Sequence, residues 1–200
     1  MSDLLERLNN ESPIEFKRRT IESLEWFRDR IKNIRLESDT FYRQSNLKKT
    51  REYLAGRMYL YGYNAKWQEK LPYWDSFPCT IVLDTYQEGF LGLNLHYLPP
   101  KLRAIFLDRL FDYVGGEESE NDPGGRRTEK FKVYYDIIKA TPKLNFGVPC
   151  LKKYLYSQMV TPALEVEPKY WDIVSMLPLA SFNKQPTMEI YRKSREMING

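Results

Sequence analysis

The chain has 200 residues, with 31 Lys and Arg against 27 Asp and Glu and a net charge of +4. Its 42% apolar share is enough for one core of ordinary domain size. A mean hydropathy of -0.60, with no apolar run near the ~18 residues a spanning helix needs, excludes an integral helical membrane protein. The opening MSDLLERLNNES lacks the apolar stretch of a signal peptide, which argues against secretion. Cys79, Cys150 and the single histidine His96 are too few for a disulfide framework or a zinc site, so no metal or other cofactor is expected. Both thiols read as buried small hydrophobes in a reducing compartment.

Ser12-Pro13-Ile14-Glu15 reads as a capping box, with Ser12 as cap and Pro13 in the first helical position. Behind it Ile14, Ile21, Leu24, Phe27, Ile31 and Ile34 recur at spacings of three, four and seven. That pattern predicts a long amphipathic helix from about 13 to 36, part of an N-terminal helical arm over 1–40 that packs on the rest or on a neighbour. Residues 41–200 are expected to form a single α+β domain.

Residues 37–55 are polar and basic, and read as a loop, a short helix or a segment that orders on a partner. From Gly56 to Tyr63, Met58 and Leu60 alternate with Tyr59, Tyr61 and Tyr63, which is strand periodicity. Further strands are predicted at Pro78–Thr85 and Gly89–Tyr97, joined as an antiparallel hairpin through 85–88. The fold class expected is therefore α+β, with a small antiparallel sheet of about three strands near 56–97 covered by C-terminal helices.

Pro99-Pro100 starts a helix that Gly115-Gly116 ends. The stretch 115–127 has loop composition, including the acidic cluster Glu117, Glu118, Glu120 and Asp122. Further helices are expected near 127–140, 149–159 and 168–177, before a polar, basic tail from about 184.

No motif for catalysis is present. There is no GxxxxGK[ST] loop, no GxGxxG and no GxSxG elbow. Cys79 and His96 with Asp75 or Asp84 hold the letters of a thiol site, but nothing in the sequence places their side chains on one face. Glu15-Phe16-Lys17 carries the letters of a metal-nuclease motif inside a capped helix, and Asp75 reads as a turn cap. The chain therefore reads as non-enzymatic.

Basic residues interleaved with aromatics carry the remaining signal. Arg43, Lys48, Lys49, Arg51 and Arg57 are opposed in 43–57 by one acid, Glu52, and run on into Tyr59, Tyr61, Tyr63, Lys66 and Trp67. Cations neutralise phosphates, and exposed rings stack on bases of a single-stranded or frayed end. The same pattern also fits a solvated connector beside a tyrosine face packed on helices.

Leu71–Pro78 (LPYWDSFP) and Gly89–Pro100 (GFLGLNLHYLPP), followed by Leu102-Arg103-Ala104, resemble a family of small virion-associated proteins of large contractile-tailed, T-even-type bacteriophages. A GxMYxYxY strand, the region at Cys150–Leu155 and the tail from Trp171 to Phe182 fit the same resemblance, which covers about 20–195. It implies a virion protein assembled in the host cytoplasm, of the DNA end protector and head-completion class. The alternative is a structural component of the tail or baseplate held by protein contacts. The implied partners are duplex DNA ends and other virion proteins of the portal and neck or of the tail and baseplate, with no membrane and an oligomeric state in the particle. The resemblance carries no binding residue of its own, so the candidate nucleic-acid contacts are the five basic residues above. Within the block, Gly89 and Gly92 read as positions where a neighbour approaches closely.

Overall fold

Alternation at Met58–Tyr61 is what splits the core in two. The structure, a computed structural model, describes residues 2–11, 29–31, 36–114 and 145–199. Its elements are α1 (Ser2–Glu11), α2 (Ser38–Gln44), β1 (Lys48–Thr50), β2 (Met58–Leu60), β3 (Trp74–Asp75), β4 (Cys79–Thr85), β5 (Gly89–Asn94), α3 (Pro100–Val114), β6 (Leu151–Leu155), β7 (Ala163–Val166), α4 (Trp171–Met176), β8 (Phe182–Asn183) and α5 (Thr187–Asn199). Short 3-10 turns at Leu95–Tyr97, Asn145–Cys150, Tyr156–Gln158 and Pro168–Tyr170 link them.

The α+β class holds, but the sheet is larger than the three strands expected. Six antiparallel strands run in the order β1-β7-β2-β4-β5-β6, and β3 pairs with β8 in a separate two-stranded ribbon. The predicted hairpin is the centre: Ile81 faces Leu93, Val82 faces Gly92, and Tyr86 N–H bonds the Gly89 carbonyl at 2.7 Å. The strands added are the short ones. β1 comes from the basic connector, while β6 and the turn after it replace the helix expected over 149–159. Leu151-Lys152-Lys153-Tyr154-Leu155 pairs with Gly89–Leu93 of β5, and that long-range ladder overrides the weak helical pattern.

Among the described residues there is no long N-terminal helix. The helix expected over 13–36 falls outside them except for 29–31, which are helical, and 36, which is not, and the loop at 115–127 and the helix at 127–140 also lie outside. The 168–177 prediction is met by a 3-10 turn leading into α4, and the tail beyond 184 folds as α5.

One face of the sheet packs on helices. Met58, Leu60, Ile81, Leu83, Leu93 and Leu164 meet Leu5 and Leu8 of α1, Phe106 and Leu107 of α3, Ile173 and Val174 of α4 and Ile190 of α5, all buried. The opposite face is aromatic: Tyr59, Tyr61, Phe90 and Tyr154 lie under Tyr53 and Tyr63. Rings meet edge to face, with Tyr63 and Tyr154 centroids 4.9 Å apart and Tyr61 and Tyr154 5.6 Å apart. The hydroxyls of Tyr59, Tyr61, Tyr63 and Tyr154 each have a partner. The Tyr61 and Thr80 hydroxyls lie 3.1 Å apart, Tyr59 Oη accepts the Leu54 N–H at 3.1 Å, and Tyr154 Oη accepts from Asn94 Nδ2 at 2.9 Å.

Candidate nucleic-acid interface

β1 is an edge strand, and the basic residues of 43–57 are distributed around it. Lys48 and Arg57 converge on one carboxylate. Lys48 Nζ lies 3.3 Å from Glu165 Oε2, and Arg57 Nη1 donates to Glu165 Oε1. Register explains the meeting, because Lys48 and Tyr59 both face Glu165 of β7. Lys48 keeps 70% of its side chain exposed, so water screens its pairing with Glu165 and the ammonium stays accessible.

Lys49 faces the other way from Lys48, as strand pleating requires, and places Nζ 4.8 Å from the Tyr42 ring. Arg43 is exposed in the last turn of α2 and Arg51 is exposed just past β1. The five residues are therefore not one convergent patch. They form a basic rim around an edge strand, with two of its charges tied to Glu165.

The structure removes the aromatic half of that sequence reading. Tyr59, Tyr61 and Tyr63 are 1%, 0% and 9% exposed, so they build the second core and cannot stack on bases. Burial also pushes the Tyr61 hydroxyl pKa well up and that of Tyr53 to about 12, keeping this face neutral.

An exposed ring, that of Trp67, lies instead toward the other edge of the sheet. A cleft of about 420 Å³ opens beside β6, walled by Trp67, Tyr73, Trp74 and Tyr97 with Lys66 and Lys152. Trp67 is 59% exposed, with Lys66 and Lys70 Nζ each 5.3 Å from its ring. Lys152 Nζ sits 4.3 Å from the Tyr97 ring, and partial burial lowers its pKa. Lys184 donates to the carbonyls of Gln68, Glu69 and Leu71 and so fixes the turn that carries Trp67. Sequence reading reached Lys66 and Trp67 but not Tyr97 or Lys152. The pairs Lys66-Trp67 and Lys152-Lys153-Tyr154 were visible, yet reading 149–159 as a helix hid their meeting.

The thiol and carboxylate letters also find their places. Asp75 Oδ1 accepts the N–H of Phe77 at 3.0 Å, the turn cap expected, and that of Ser181 at 3.2 Å. Its Oδ2 accepts from Asn94 Nδ2 at 3.1 Å and pairs with His96 Nδ1 at 2.8 Å. His96 is wholly buried, and its Nε2 has no hydrogen-bond partner. Burial pushes the Cys79 thiol up to about 12, so it is no thiolate for His96 to activate. Among the described residues no group of three or more His, Cys, Asp or Glu side chains is placed to hold a metal ion, and no helix is long and apolar enough to cross a membrane. The Glu15-Phe16-Lys17 letters lie outside the described residues.

A family model described as phage T4 terminal DNA protecting protein matches residues 3–194. No curated protein and no solved structure matches the chain.

Proposed function

The chain belongs to the phage T4 terminal DNA protecting protein family, non-enzymatic virion proteins that guard the packaged DNA terminus, and from that premise we propose that it holds the duplex through the basic rim of β1. The contacts are Arg43, Lys48, Lys49, Arg51 and Arg57, acting on phosphates without reading sequence. The observation that carries this reading is an edge strand whose exposed side chains are cations, faced across the ladder by a single carboxylate, Glu165. An edge that would otherwise invite strand pairing is blocked by charge, and the same charge suits a polyanion.

The reading includes contact with other virion proteins at the head or neck. The outer side of α5 is available for it, with Met188 and Met197 70% and 63% exposed.

The test is binding to blunt linear DNA and to the matching closed circle across a salt series. Each phosphate contact contributes about -0.9 to the log–log salt slope, so exchanging Lys48, Lys49 and Arg51 for Glu should flatten it by about 2.7 or more. An unchanged slope and affinity would remove the rim from the interface.

A further inference from the structure

A phosphate-binding rim explains affinity for DNA but gives no preference for an end, because internal and terminal phosphates carry the same charge. What distinguishes a terminus is a base pair with one face open and free to fray. Recognising it needs an exposed ring for the base and cations beside that ring for the last phosphate.

The cleft beside β6 has both. Trp67 presents an exposed indole face, held by a turn that Lys184 staples through three carbonyls. Behind it Tyr73 and Tyr97 lie with ring centroids 6.0 Å apart, continuing the aromatic wall inward. Lys66, Lys70 and Lys152 lie within 5.3 Å of ring centroids along this wall. Lys152 is half-buried there, and among the described residues it forms no ion pair. Of the carboxylates near the cleft, Glu88 pairs with Lys153 at 2.8 Å and Asp75 accepts from four donors. Exposed Glu69 shares its turn with Lys66 and Lys70, so that with Lys152 and Lys184 the cations outnumber the acids. The net field at the mouth therefore favours an anion. The cleft's volume is within the ~300–1,000 Å³ of small-ligand sites, which admits one nucleotide and not a duplex.

Resting on the DNA-end reading above, we propose that this cleft takes the terminal nucleotide of the DNA, stacking its base on Trp67 and holding its phosphate with Lys66 and Lys152. Recognition is sequence-independent, since every base offers a face to stack. β1 and β6 are opposite edges of a six-stranded sheet, roughly 24 Å apart at ~4.8 Å per strand. Rim and cleft are thus separate surfaces that can be removed one at a time.

The experiment uses the full chain and short blunt duplexes carrying 2-aminopurine at the terminal or at a central position, with a closed circle as competitor. Stacking on Trp67 should quench the terminal probe and leave the central one unchanged. Trp67→Ala and Lys66→Glu should lose the preference for linear over circular DNA by about ten-fold or more, and Trp67→Phe should restore most of it. Trp67 is largely exposed, so the variants should keep the parent melting temperature. If the parent prefers ends and Trp67→Ala still does, with terminal quenching intact, the cleft assignment is wrong while the DNA-end reading stands. If the parent shows no preference for ends, both fail.

Discussion

His96 Nδ1 lies 2.8 Å from Asp75 Oδ2, with both side chains wholly buried, and the other ring nitrogen of His96 makes no hydrogen bond. An imidazolium there would bury an unsatisfied N–H, so the neutral ring donating from Nδ1 is the form that fits. Burial lowers the His96 pKa accordingly, against the pull of Asp75. The unfolded chain therefore binds the proton first as pH falls. Stability from the neutral ring is fully present above about pH 6.5 and is lost as pH drops through the lower, folded pKa. Urea unfolding between pH 8 and 5 should show this decline, and His96→Asn, which keeps a donor near Asp75, should flatten it.

Asp75 itself ties three segments together: its own turn at Phe77, the end of β5 at Asn94 with His96 just beyond it, and Ser181 before β8. Replacing it with Ala strands four donors in a dry site. A loss of about 3–5 kcal/mol is expected, measured as a fall in the urea midpoint.

Arg103 is a second buried strut. Its guanidinium donates to the Leu98 and Ser175 carbonyls at 2.7 Å each and to Tyr191 Oη, joining α3, α4 and α5. Arg103→Met keeps the stem but leaves those acceptors unpaired, and should cost about 2–4 kcal/mol in thermal or urea unfolding. Lysine should rescue little, because one ammonium cannot span three directions.

A Cβ at Gly89 would lie 1.9 Å from the Tyr154 carbonyl oxygen, and at Gly92 2.3 Å from Thr80 Cγ2. The first clash is with backbone in the β5–β6 ladder and cannot be relieved by a rotamer. Gly89→Ala should therefore destabilise by about 1–3 kcal/mol, and more than Gly92→Ala, where a threonine methyl can yield. Paired denaturation curves decide the order.

Glu165 offers a gain rather than a loss. Neutralising it releases Lys48 and Arg57 for phosphate. Glu165→Gln should tighten DNA binding and steepen the salt slope by about 1, read by fluorescence anisotropy. Weaker binding would mean that Glu165 instead positions these cations.

Both thiols offer a control on folding. Burial pushes Cys79 and Cys150 up to about 12, so iodoacetamide at pH 8 should label neither until denaturant is added.

Local pattern settled several elements in advance. Alternation at Met58–Tyr61 separated the two faces of β2, the 85–88 turn fixed the central hairpin, and Pro100 began α3, because each depends on residues a few positions apart. The GFLGLNLHYLPP block and its neighbours were also enough to point to the family that the full-length match identifies. Short strands escaped. β1, β6 and β7 are three to five residues long, and only pairing with partners up to about a hundred residues away makes them strands.

The candidate site divides the same way. Sequence determined that cations and aromatics lie close together in 43–67, since composition and order are local facts. It left open whether the tyrosines face water, and the tertiary structure decided against it: the second face of the sheet needs cover, and Tyr59, Tyr61 and Tyr63 supply it with their hydroxyls satisfied inside. It also decided which carboxylate restrains Lys48 and Arg57, and that Trp67 meets Tyr97 and Lys152 across one cleft. These are relations between residues far apart in the chain, set by strand register and sheet order, and no window of sequence contains them.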